Sequence, residues 1–104
     1  MSTFNDRERA FESKYAHDEE MQFRANARRN RLLGYWAAGL LGRTGAEAEA
    51  YAIEVVKSDF QEAGDDDVLR KVAGDLAGKA TPAEVRAQMD ALLAEAKRQL
   101  ADEA

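Results

Sequence analysis

The sequence predicts an all-α fold, an antiparallel four-helix bundle with a labile N-terminal helical extension, and three observations carry that expectation. Ala, Glu, Leu, Arg and Lys, all good helix formers, dominate a chain of 104 residues that holds only seven Gly and one Pro. Apolar residues recur at helical rather than alternating spacing over most of its length. Two Ser/Thr-x-x-Glu start signals, Thr44–Glu47 and Thr81–Glu84, mark the beginnings of helices. A chain of this length supports one core and leaves little room for an enclosed catalytic cleft.

The first element runs from about Thr3 to Leu41. Its second half, from Met21, ends in LLGYWAAGLL, a run apolar nearly all round and therefore expected to be the most buried helix. Gly34, Gly39 and Gly42 permit either close helix approach or a chain reversal. The second helix is expected from the capping box at Thr44, through Ala48, Tyr51, Ala52, Val55, Val56 and Phe60, with a stop near Gly64. Asp65 or Asp66 can cap a third, shorter helix that turns Val68, Leu69, Val72, Ala73 and Leu76 inward; Gly74 and Gly78 make it the weakest. The fourth starts with Thr81 as N-cap, Pro82 at the first helical position and Glu84 closing the box, and carries Val85, Met89, Leu92, Ala96 and Leu100 on one stripe.

The first half of the first element differs from the rest. Phe4, Phe11 and Tyr15 form a sparse stripe at spacings of seven and four, interrupted by His17-Asp18-Glu19-Glu20. Burying a large apolar side chain yields about 2 kcal/mol, which scarcely offsets about 1–2 kcal/mol of backbone entropy per ordered residue. Residues 1–19 are therefore expected to be a mobile arm, and residues 20–104 the bundle domain. The same stripe suits either docking into a partner groove by aromatic anchors or packing at home as an extension of the first helix.

Charge is distributed in blocks. The net value is −5 and the isoelectric point about 4.9. Residues 21–43 nevertheless carry Arg24, Arg28, Arg29, Arg31 and Arg43 with no acid, between acidic segments on either side. Arg24, Arg28 and Arg31 share a helical face that could bind phosphates, so a nucleic-acid-binding regulator using Arg24, Arg28, Arg29 and Arg31 is an alternative function. The overall acidity opposes it, and pairing of this helix with the acidic remainder explains the same residues.

Catalytic chemistry finds no foothold. The absence of Cys removes thiol catalysis, disulfides and Cys-based metal sites. The single His17 stands among acids that point in different directions along a helix, so no metal site is expected. Asp65-Asp66-Asp67 is explained by capping and by the helix dipole. No phosphate-binding loop or nucleophile elbow occurs. A non-enzymatic binding protein is expected, cytoplasmic because no signal peptide or membrane span is legible, and a monomer when free.

The opening MSTFNDRERAFESKYAHDEEMQFRANARRNRLLGYWAAGLLG and the later YAIEVVKSDFQEAGDDDVLRKVAGDL give the chain its clearest likeness. Over essentially its whole length it resembles the zeta-subunit family of bacterial F-type ATP synthases, small inhibitors of that enzyme. The resemblance implies a four-helix fold and inhibition of ATP hydrolysis at the catalytic head. It implies further that the N-terminal segment enters a catalytic interface between alpha and beta subunits as a helix and blocks rotation in the hydrolytic direction, with gamma a further candidate partner. Carried onto this chain, the inhibitory segment is about Ser2 to Glu19, with Phe4, Arg7, Phe11 and Tyr15 as main contacts and Asp6, Arg9, Glu12 and Lys14 as polar partners. The location so implied is cytoplasmic, peripheral on the membrane-bound synthase. No cofactor is implied; a nucleotide-sensing bundle with weak adenine nucleotide binding between helices is a third alternative.

Overall fold

In the computed structural model, the backbone is described for residues 3–60 and 64–103 and the side chains for residues 19–60 and 64–103. Four helices follow one another: α1 (Thr3–Leu40), α2 (Gly45–Ser58), α3 (Asp66–Asp75) and α4 (Pro82–Glu103). The expectation of a long first element and three shorter ones is met, and no strand occurs among the described residues. Helix α1 packs chiefly against α2 and α4, while α3 lies against α4 and α2.

The reversal from α1 to α2 is a Schellman turn. Gly42 takes φ 75°, the Gly42 N–H donates to the Gly39 carbonyl at 3.2 Å, and the Arg43 N–H donates to the Ala38 carbonyl at 2.9 Å. The two helices then run antiparallel in close contact, with Gly34 directly opposite Ala52. The sequence left close approach and reversal open for its three glycines. Gly34 provides the first, Gly42 the second, and Gly39 is exposed with open space around it.

The core gathers Leu33, Ala37 and Ala38 from α1, Tyr51 and Val55 from α2, Val68, Val72 and Leu76 from the α3 region, and Val85 and Met89 from α4. The stripes expected of α3 and α4 are therefore the buried ones. Two expectations are corrected. The LLGYWAAGLL run is not enclosed all round: Leu33, Ala37 and Ala38 are fully buried against the other helices, whereas Tyr35 and Leu40 are exposed. Helix α2 ends at Ser58 rather than near Gly64, and Phe60, placed on the inward stripe from spacing, is 71% exposed.

The two capping boxes also part company. At Thr81 the box closes reciprocally: the Glu84 N–H donates to Thr81 Oγ1 at 3.1 Å and the Thr81 N–H donates to Glu84 Oε1 at 3.3 Å. At Thr44 no side-chain cap forms. Gly45 enters the helix at φ 56°, and the Glu47 N–H is taken by the Thr44 carbonyl at 3.2 Å instead. Thr81→Ala is accordingly expected to destabilise the fold by about 1 kcal/mol, and Thr44→Ala by a few tenths at most. Urea unfolding of the two variants checks this; equal losses would show that the two boxes do not differ.

Candidate partner-binding site

The residues expected to touch a partner, Phe4, Asp6, Arg7, Arg9, Phe11, Glu12, Lys14 and Tyr15, all fall within α1 by number, and their side chains lie outside the described residues. So do those of His17 and Asp18, and with them the expectation that the arm is mobile. The described surface begins at Glu19.

From there on, the arginine block divides by position on the helix. Arg24, Arg28 and Arg31 do share a face and line one open groove of about 450 Å³ with Phe23, Val56 and Leu100. Two of them are already paired. Arg24 meets Glu20 at 3.1 Å one turn away, with both side chains 58% exposed, and Arg28 binds both carboxylate oxygens of Glu103 at the far end of α4. The hydrogen bond to Glu103 raises the Arg28 pKa and the reciprocal bond lowers that of Glu103. Arg31 lies over the Tyr35 ring, 5.9 Å from its centroid.

Arg29 belongs to none of this. It is 2% exposed, the largest buried side chain among the described residues, and although adjacent to Arg28 in sequence it does not share the exposed face of Arg24, Arg28 and Arg31. Its Nη2 donates to Asp65 Oδ1 at 2.9 Å, its Nε to Asn30 Oδ1 at 2.9 Å, and Asn30 Nδ2 donates in turn to Asp59 Oδ2 at 3.1 Å. These four side chains tie α1 to the segment between α2 and α3. Asp65 sits at the N-cap of α3, but its side chain makes no capping bond because Arg29 claims it. The Arg29 bond holds the Asp65 carboxyl below the usual carboxylate range; burial pushes that of Asp59 upward. Arg29 therefore serves the fold, and a phosphate-binding face that includes it does not exist.

A second cationic cluster packs on Tyr51. Arg43 and Lys71 stand 5.2 Å and 5.3 Å from its ring centroid, and its hydroxyl donates to Asp75 Oδ2 at 2.8 Å. Burial first, and that hydrogen bond second, raise the phenol pKa, so the ring stays neutral. Among the described residues no group of His, Asp and Glu side chains is arranged to hold a metal ion, and no helix is long and apolar enough to cross a membrane.

Spacing missed the exposed apolar residues. Phe23 is 63% exposed and Phe60 71%, and with Ala27 and Val56 they line one small cavity at the α1–α2 crossing. Ile53, 49% exposed, continues the strip along α2. Only the helix crossing decides that these positions point outward, so no local signal marked them.

The model of the family described as ATPase inhibitor subunit zeta matches residues 1–99. Among solved structures, one determined by solution NMR is 62% identical, with a TM-score of 0.75, covering 81% of this chain and 99% of that one. The comparison with curated proteins gives no match.

Proposed function

Because the chain belongs to the ATPase inhibitor subunit zeta family, we propose that it inhibits ATP hydrolysis by inserting its N-terminal segment as a helix between an alpha and a beta subunit of the ATP synthase catalytic head. The family itself gives the coarser statement: this is a regulatory protein associated with ATP synthase. The observation that carries the finer one is the extent of the match, which begins at residue 1 and so takes in the aromatic stripe as well as the bundle.

In this reading residues 1–19 are the inhibitory arm and residues 20–104 the stop that follows it. A helix from Ser2 to Glu19 spans about 27 Å at 1.5 Å per residue, long enough to reach deep into a subunit interface. The bundle behind it is several helices wide and does not fit where one helix fits. Phe4, Phe11 and Tyr15 are the apolar anchors, Arg7 adds charge-assisted contacts, and Asp6, Arg9, Glu12 and Lys14 are polar partners at the cleft walls. The gamma subunit, which turns inside the head, is the element that an arm lodged at this interface would hold still. No cofactor is needed. The protein acts at the periphery of the membrane, on the cytoplasmic side where the head lies.

The test is ATP hydrolysis by a purified cognate head in the presence of the full chain and of a version lacking residues 1–19. Inhibition by the first alone is the expected result; equal inhibition by both would move the active surface onto the bundle and overturn the arm. Within the full chain, Phe11→Ala is expected to weaken inhibition by about 2 kcal/mol, roughly 30-fold. An unchanged inhibition constant for that variant would count heavily against insertion by this face.

A further inference from the structure

We propose that Glu103, in the last turn of α4, positions the inhibitory arm by gripping Arg28 at the turn of α1 from which the arm leaves the bundle. The proposal rests on the functional reading above and deepens it by naming the contact that gives the arm its line of entry into the cleft.

Helix α1 is unbroken from Thr3 to Leu40, so arm and bundle share one helix, and whatever holds the second half sets the direction of the first. Between Glu19 and Arg24 no residue is buried, a span of about 9 Å. Burial begins at Ala25, which is 2% exposed. The turn from Ala25 to Arg28 is therefore the foot of the arm, where α1 first meets the other helices. A helical turn without tertiary contacts is marginal and frays. How firmly the foot is held decides how constant the arm's direction is.

Two sets of polar contacts hold it. Arg29 and Asn30, immediately after the foot, tie α1 to the connection between α2 and α3 through Asp65 and Asp59. Arg28 ties it to the end of α4. The guanidinium donates from Nη1 to Glu103 Oε1 and from Nη2 to Glu103 Oε2, the second bond at 3.1 Å, while Ala27 and the buried Leu100 line the same groove. Two parallel bonds fix the relative orientation of the helices that carry them, which a single point contact does not.

The end of α4 depends on this contact in turn. Its last turn carries Asp102 and Glu103 and no basic residue, so two acids stand at the negative end of the helix dipole. Arg98 answers Asp102 from within α4, at 3.4 Å. Glu103 is answered by Arg28, 75 residues away in sequence, with a further attraction to Arg24, which Glu20 already holds. Among the described residues the Arg28–Glu103 pair is the one ion pair that joins α1 to α4. Its side chains are 29% and 57% exposed, so solvent screens it and it adds little to the stability of the whole bundle. Its effect is local, and the place where it acts is the foot of the arm.

The test uses the full chain and two readouts, amide hydrogen exchange of the free protein and inhibition of ATP hydrolysis by the purified cognate head. Glu103→Lys sets a cation beside Arg28 and is expected to speed exchange at residues 25–28 and to weaken inhibition, each by about fivefold. Its melting temperature is expected to fall by no more than about 5 °C. Exchanging the charges, Arg28→Glu with Glu103→Arg, is expected to restore both readouts. Arg86→Gln breaks a different exposed pair, from α4 to Asp66 on α3, and is expected to move neither. Unchanged exchange at residues 25–28 in Glu103→Lys would show that Glu103 does not hold the foot. Faster exchange with wild-type inhibition would show that the foot does not guide the arm. Normal exchange without recovered inhibition in the charge-exchanged variant would place Arg28 or Glu103 in direct contact with the partner. Inhibition weakened equally by Arg86→Gln would leave only a general need for a stable bundle. Each of these four results overturns the proposal while the arm reading stands. A wild-type chain that does not inhibit at all overturns the functional reading and the positioning role with it.

Discussion

Gly34→Ala is expected to lower the stability of the bundle by about 2 kcal/mol, and its melting temperature by roughly 8–16 °C. Two effects compete. Alanine favours a helix interior over glycine by about 1 kcal/mol, which by itself would stabilise α1. Against this, a Cβ on Gly34 would lie 2.5 Å from the Cα of Ala52, 3.0 Å from its Cβ and 3.3 Å from its backbone nitrogen. The atoms in the way are mainly backbone, so no rotamer change relieves the clash. Helices α1 and α2 must move apart, loosening the packing of Leu33, Ala37, Tyr51 and Val55 between them. Overpacking of this kind costs up to about 3 kcal/mol and outweighs the propensity gain. Gly39 in the same helix has open space around it, so Gly39→Ala shows the propensity term without the clash and is expected to stabilise by up to about 1 kcal/mol. Thermal unfolding of both variants decides the matter: if Gly34→Ala melted as high as Gly39→Ala, the close crossing would not exist.

Asp65→Ala is expected to cost about 2–3 kcal/mol, more than any substitution of the exposed ion pairs. Removing one partner of a buried pair leaves the other charge uncompensated, a loss of about 3–5 kcal/mol when both are enclosed. Arg29 is enclosed at 2% exposure, whereas the Asp65 side chain is 40% exposed, so water entering beside it takes back part of the loss. Arg98→Ala, by contrast, removes exposed pairs with Glu95 and Asp102 on a single helix and is expected to change stability by less than about 0.5 kcal/mol. The pH dependence separates the two aspartates of the network. Asp65 has a lower pKa folded than unfolded, so its stabilisation is complete above the unfolded value near ~4 and is lost as pH falls through the lower folded value. Asp59 is shifted the other way by burial, so its ionisation works against the fold, and that opposing contribution fades as pH falls through its raised value. Asp59→Asn keeps an oxygen to accept the Asn30 amide and removes the half-buried charge; it should match or exceed wild-type stability at neutral pH. Urea midpoints measured from acid to neutral pH test both, and a loss for Asp59→Asn as large as that for Asp65→Ala would contradict this division of roles.

The helices themselves were legible because their signals are local. Thr81, Pro82 and Glu84 lie within four residues, and the bonds they make close within one turn. The stripes Val68–Val72–Leu76 and Val85–Met89–Ala96–Leu100 are buried as their spacing requires. The Thr44 box failed for an equally local reason, the positive φ of Gly45, which composition does not announce. Arg29 was misplaced because its partner Asp65 lies 36 residues away. Phe60 was placed inward because periodicity defines an apolar face but not how far along a helix its neighbours reach.

The sequence alone thus determined an all-α chain, its helix order, the aromatic stripe at positions 4, 11 and 15, the basic block on α1 and, through likeness over its whole length, the family. Each of these depends on residues close together or on the chain as a string. The tertiary structure decided which glycine brings two helices together, which arginine goes inside, and which aromatics remain exposed. Those outcomes turn on which distant residues come to share one place, and helical periodicity repeats too regularly along a chain to encode that.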